Sequence, residues 1–179
     1  MEPNSKGIAV TVAIVAAIGI SLLAMLAALN RRDQTVGLNS EIQYDDFAFS
    51  VQGVRKANSL GTGESQVNAQ GVYYIVTLRI ANHAKRVDYT FKMSSPRLVD
   101  VEEKEFRLSV AGQRALESTI GKQCSGPIPA GASCVTEVVF DLPAAAELKQ
   151  FRISEGGPVG DILDVVFFGR KRIELGSLQ

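Results

Sequence analysis

The chain contains no tryptophan, one histidine and two cysteines, and its nineteen lysines and arginines are matched by nineteen aspartates and glutamates. Each shortage closes off a class of function. His83 is the only imidazole, and it lies in a turn beside Asn82 and Lys85, far in sequence from any serine or cysteine placed as a nucleophile, so a histidine-dependent triad is not expected. Two cysteines and one histidine do not make the four ligands of a structural zinc site. No cysteine precedes Cys124, which excludes attachment through a lipidated N-terminal cysteine. Residues 33–179 hold sixteen basic side chains (nineteen less Lys6, Arg31 and Arg32) against eighteen acidic ones (nineteen less Glu2). With that slightly negative balance nothing is built to neutralise a phosphate backbone, and no nucleic-acid partner is expected. The absence of tryptophan does not prevent a core, because phenylalanine, tyrosine, valine, leucine and isoleucine recur throughout.

What is present begins with an uncharged run at residues 8–29, IAVTVAIVAAIGISLLAMLAAL. As a helix it measures about 33 Å, slightly more than the roughly 30 Å hydrocarbon core of a bilayer, and the reading is a single transmembrane anchor in contact with membrane lipid. Two other readings compete with it. A cleaved signal peptide has a shorter apolar region ending in a small-x-small site, and no two alanines here lie two positions apart. Ser5-Lys6-Gly7 before the run resembles the processing site of type IV pilin-like precursors, which are cut after the glycine and become filament subunits; the acidic residue that bacterial pilins carry near the start of the helix is missing. Lys6 before the run and Arg31 and Arg32 after it leave orientation undecided by charge. Small residues along the run (Ala9, Ala13, Ala17) leave homo-oligomerisation open.

The chain divides into a short N-terminal segment 1–7, the transmembrane helix 8–29, a juxtamembrane linker 30–43 and one domain at 44–176. Within the domain, period-two alternation marks strands at Phe47, Phe49 and Val51, at Val72–Ala81, at Val87–Met93 and at Cys134–Leu142. The Val72, Tyr74, Val76, Leu78 and Ile80 face should be core. Residues 58–70, rich in Gly, Ser and Asn, read as a mobile loop whose Gly61-Thr-Gly63 lacks the lysine of a phosphate loop. Leu98–Val101 and Phe106–Val110 flank a charged turn as a hairpin, and 111–125 reads as loop with one helical turn at Arg114–Glu117. A helical turn at Ala144–Gln150 leads to last strands at Phe151–Ile153 and Ile162–Phe168, with Arg170–Leu175 continuing the sheet. Seven to nine short strands without a long amphipathic helix predict an all-β, immunoglobulin-like β-sandwich.

Three stretches then carry a resemblance: YYIVTLRIAN at 73–82, PRLVDVEEKEF at 96–106 and IPAGASCVTEVVFDLP at 128–143. Their order and spacing resemble a family of bacterial immunoglobulin-like domains of unknown function, found in exported lipoproteins and membrane-anchored surface proteins. The resemblance implies a sandwich outside the cytoplasm and brings no catalytic motif with it. Val101-Glu102-Glu103 departs from the glycine-containing turn usual there.

Cys124 and Cys134 flank SGPIPAGAS. Bonded, they would close a short loop worth about 2 to 3 kcal/mol and point to an oxidising compartment; the alternative is two unrelated thiols, Cys134 on a buried face. The carboxylate pairs Asp45-Asp46 and Glu102-Glu103, with Asp100 nearby, read as solvated turns rather than a calcium loop. Arg170-Lys171-Arg172 reads as a charged edge strand, with contact to anionic lipid or an envelope polymer as the sharper alternative. No cofactor, metal or catalytic residue is expected. The reading is a non-catalytic interaction or accessory module at the cell envelope, its partner an envelope protein or polymer of unknown identity.

Overall fold

Two antiparallel-rich sheets face each other in a computed structural model that describes residues 14–23, 34–154 and 171–176. One sheet runs β2-β3-β4-β7, with β2 at Ile42–Tyr44, β3 at Phe47–Leu60, β4 at Val67–Asn82 and β7 at Ser133–Leu142. The other runs β1-β9-β8-β5-β6, with β1 at Gln34–Val36, β5 at Pro96–Asp100, β6 at Glu105–Arg107, β8 at Leu148–Ile153 and β9 at Lys171–Glu174. Phe49, Val51, Tyr74, Val76, Leu78, Ile80, Val138, Phe140 and Leu142 from the first sheet meet Leu98, Phe151 and Ile173 from the second in one core. The architecture is a β-sandwich.

Helix α1 is described over 14–23 only, with Ile14, Val15, Ile18, Ile20, Leu22 and Leu23 all exposed. Among the described residues no helix is long and apolar enough to cross a membrane. The remainder of the anchor predicted at 8–29, and the processing position after Gly7, lie outside the described residues.

Several local expectations are corrected. Residues 34–36 and 42–43, read as linker, lie in strands: Ile42 is buried, and β1 lies parallel to β9 in a long-range pairing that a three-residue alternation cannot announce. Residues 58–70 are not a long loop. β3 and β4 continue as a hairpin whose tight end is a single 3-10 turn at Gly63–Ser65, with Gly61 at φ +84° and Gly63 at φ +57° supplying conformations that other residues resist. Residues 87–93 form no named strand; Tyr89 makes one isolated bridge to Ile128, yet Tyr89 and Phe91 are buried. The helical turn expected at 144–150 is a β-turn closed by Ala146 N–H to Pro143 O, and β8 starts at Leu148. The strand predicted at 162–168 lies outside the described residues.

Residues 111–125 hold the largest departure, helix α2 at Val110–Ile120. Ser109 accepts from Gly112 N–H as its N-cap, and Gly121, at φ +79°, ends it. The helix lies on the outer side of β3, β4 and β7, where Ala115 and Leu116 join Tyr73, Ile75 and Val139 in a second cluster. Both faces of β4 are therefore buried in its middle, not the even face alone. Gly112 lets the helix approach: a Cβ there would sit 2.7 Å from Val139 Cγ1 and 2.9 Å from Tyr73 Cε1.

Candidate functional site

The residues that carry the family resemblance turn out to be joints of the scaffold. Asn82, fully buried at the end of β4, donates from Nδ2 to Val87 O (2.8 Å) and Ile128 O (2.9 Å), and its Oδ1 accepts from Ala84 N–H (3.0 Å). One side chain thus ties two loops to the strand. Asp100 Oδ1 accepts from the amides of Glu102 (3.0 Å) and Lys104 (2.8 Å), forming the β5–β6 turn in which Glu103 takes φ +63°. Asp141 accepts from the amides of Gln70 (2.9 Å) and Gly71 (3.1 Å), where a Cβ on Gly71 would fall 2.0 Å from Leu142 O. Gly131, at φ +76°, completes the turn into β7 and donates to Asn82 O (2.9 Å). These groups satisfy backbone at separate corners and converge on no common centre.

Cys124 and Cys134 are bonded, with Cα atoms 5.9 Å apart. The bond pins the loop between α2 and β7, whose Gln123 Oε1 accepts from Glu137 N–H (2.8 Å) on the outer edge of β7. The Gln113 carboxamide continues that cover, donating to Glu137 O (3.0 Å) and accepting from Val139 N–H (3.0 Å), and Ser109 N–H donates to Val139 O (2.8 Å). Side chains replace a neighbouring strand along this edge, so it offers little to a foreign one.

His83 stands half exposed with Nε2 3.5 Å from Glu41, which also pairs with Arg79. No serine or cysteine hydrogen-bonds it among the described residues. Asp45, at φ +50°, shapes the β2–β3 turn, and no group of three or more His, Cys, Asp or Glu among the described residues is arranged to hold a metal ion. The expected charged edge is corrected: Lys171 and Arg172 belong to β9, an interior strand, because β1 pairs on its other side; Arg170 lies outside the described residues. Glu103, Glu105, Lys149 and Arg152 form an exposed ion-pair network. The hydrogen bond from Lys149, aided by the charges of Lys149 and Arg152, holds the Glu103 carboxyl below its ordinary range. Tyr73 donates to Asn68 O (3.1 Å), and burial, then the Asp141 carboxylate, push its phenol above its ordinary value.

One concavity was not legible in the sequence. It is a cleft of about 600 Å³ between the sheets, lined by Lys56 and Tyr74 of the β3–β4 pair, by Glu147, Leu148 and Lys149 where β8 begins, and by Glu174 where β9 ends. Lys56 Nζ lies 5.3 Å from the Tyr74 ring centroid, and Tyr74 donates to Ala146 O (3.3 Å). The cleft has an apolar wall with lysines and glutamates at its rim. Its described lining includes no histidine, cysteine, serine or threonine.

Solved structures share this sandwich. A secreted protein of Mycobacterium tuberculosis, MPT63, is similar with a TM-score of 0.56 at 14% identity, over 80% of this chain and 98% of that one. The yjhA protein of Bacillus subtilis is similar with a TM-score of 0.54 at 10% identity, over 78% and 98%. A conserved hypothetical protein of Bacillus anthracis is similar with a TM-score of 0.51 at 15% identity, over 66% and 87%. At these identities the likeness concerns the fold. No curated protein sequence matches the chain. Residues 36–161 match the family described as a domain of unknown function, DUF4352, and the chain belongs to that family.

Proposed function

We propose that this is a single-pass, membrane-anchored immunoglobulin-like module, exposed outside the cytoplasm, that binds an envelope partner without catalysis. The Cys124–Cys134 bond carries the reading, because such bonds persist in oxidising compartments. Two observations support it beside the bond: the uncharged run at 8–29, and six large apolar side chains left exposed along 14–23. That a similar sandwich belongs to a secreted mycobacterial protein agrees with placement outside the cytoplasm. The partner is met at the cleft beside Lys56, Tyr74 and Glu174, which lies where β9 ends, away from the level at which β1 starts beside Lys171. A chain entering from a membrane at Gln34 would hold that cleft toward the surroundings.

Extraction of membranes at alkaline pH tests the anchor. The full chain stays with the membrane pellet, and an Ile18→Lys/Leu22→Lys variant is released; release of the unaltered chain would overturn the anchor. A photoreactive residue at Lys149 tests the cleft. It should give a discrete covalent adduct on intact cells that a residue at Lys122, outside the cleft, does not give; identical adducts from both would contradict the assignment.

A further inference from the structure

We propose that the uncovered edge of β3 takes up an extended peptide segment as an added antiparallel strand, whose inward side chains enter the cleft; this names the kind of partner met there and rests on that reading. The edge follows from strand lengths. β3 runs from Phe47 to Leu60, yet β2 pairs only with Phe47, Ala48 and Phe49, and the bond from Asn39 N–H to Val51 O (2.8 Å) is the last on that side among the described residues. Beyond Val51, β3 is an edge strand. The other sheet edges differ from it: β1 and β6 are three residues long, and the Gln113 and Gln123 side chains cover β7.

Register tells which backbone groups are open. Val51 pairs with Leu78, and past the register shift at Gln52, Val54 pairs with Val76 and Lys56 with Tyr74. Leu78, Val76 and Tyr74 lie two apart along β4, so the N–H and C=O groups of Val54 and Lys56 point the same way as Val51 O, away from β4. No hydrogen bond reaches them from that side among the described residues. From Gly53 to Ala57 the ladder is regular, up to a second shift at Asn58. Val54 and Lys56, about 7 Å apart, can each exchange two hydrogen bonds with the residue opposite in one added strand.

Side chains set the partner's chemistry. Val54 and Lys56 share a face with the core residues Val76 and Tyr74, so the partner residues opposite them turn inward, toward the cleft. Val54, packed against the core, suits an apolar residue. Lys56 is exposed, its ammonium over the Tyr74 ring, with no carboxylate within ion-pair distance among the described residues, and it suits an acid. The nearby cations are taken: Lys149 pairs with Glu103, and Arg55 with Glu137. In an antiparallel strand the acid precedes the apolar residue by two positions. Glu147 and Glu174, on the opposite rim, disfavour a run of acids. A second copy fits poorly: self-pairing centred on Arg55 or Lys56 sets like charges opposite each other, and centred on Val54 it sets Lys56 against the irregular position Gln52.

Amide hydrogen exchange of the full chain in a zwitterionic detergent tests this residue by residue. In the free chain Val54 and Lys56 should exchange fast and Arg55, turned toward β4, slowly; slow exchange at all three would overturn the open edge and show it covered by the chain itself or by a second copy. The peptide acetyl-Thr-Asp-Thr-Val-Thr-amide sets aspartate opposite Lys56 and valine opposite Val54, and should slow both amides in a saturable way. N-methylation of its valine nitrogen should abolish the slowing. Lys56→Glu should weaken the peptide about fivefold, and replacing the peptide's aspartate by lysine should restore it to that variant. No slowing by the unmodified peptide, or equal slowing by the N-methylated one, would overturn strand addition. The photoreactive residue at Lys149 separates the two readings. A discrete adduct there with no slowing at Val54 and Lys56 overturns strand addition alone; neither adduct nor slowing overturns the cleft reading with it.

Discussion

Asn82 shows what a motif residue can mean in a domain without a catalytic set. Its carboxamide satisfies two carbonyls and one amide inside the core, so Asn82→Ala leaves all three without their partner and should cost about 3 kcal/mol, read as a lower denaturation midpoint. An unchanged midpoint would contradict that role. Two titrations belong to the same scale. Glu103 is held below its ordinary range in the folded chain, so its stabilising contribution is present above that range and is lost as pH falls through the folded value; Glu103→Gln should flatten the acid limb of the stability curve. Tyr73 is shifted upward, so its contribution is complete below about pH 10 and lost as pH rises beyond it. Tyr73→Phe should remove part of the alkaline destabilisation, followed by unfolding at a series of high pH values. The Asn, Asp and Gly positions were legible in sequence because turn chemistry is local. Their separation in space was not, because that depends on which strands pair.

Among the elements, β4 and β7 announced themselves through long alternation, whereas α2 did not. Its buried face is Gly112, Gln113, Ala115 and Leu116, too narrow and too polar to print a helical period. Gly112→Ala sets helix propensity, which favours alanine by about 1 kcal/mol, against the clash with Val139 and Tyr73. The clash is with packed side chains on a rigid sheet, so net destabilisation of about 1 to 2 kcal/mol is expected in chemical unfolding. The loop after α2 depends on the disulfide. Cys124→Ser/Cys134→Ser should lower stability by about 2 to 3 kcal/mol and raise hydrogen exchange at Glu137, whose amide loses the Gln123 cover; equal exchange in both forms would place the loop's order elsewhere. The three-residue strands β1 and β2 were hidden for a different reason. The partner of β1 lies far along the chain, β2 is only the short arm of a hairpin with β3, and a three-residue strand has no period of its own.

At the scale of the whole molecule, one end of the sandwich carries a concavity. The cleft between Lys56 and Glu174 lies where β9 ends, away from the level at which β1 starts beside Lys171. It was not visible in sequence, since it assembles side chains from four strands. The sandwich class was legible because strand alternation and turn residues recur through 47–142. The proposed role requires the domain to stand outside the cytoplasm. Labelling of intact cells with a membrane-impermeant maleimide, with and without an impermeant reductant, tests that most directly, because Cys124 and Cys134 are the only thiols in the chain. Labelling that appears only after reduction is the predicted result. Labelling that needs permeabilised cells and no reductant would contradict the account, placing both thiols, free, in the cytoplasm.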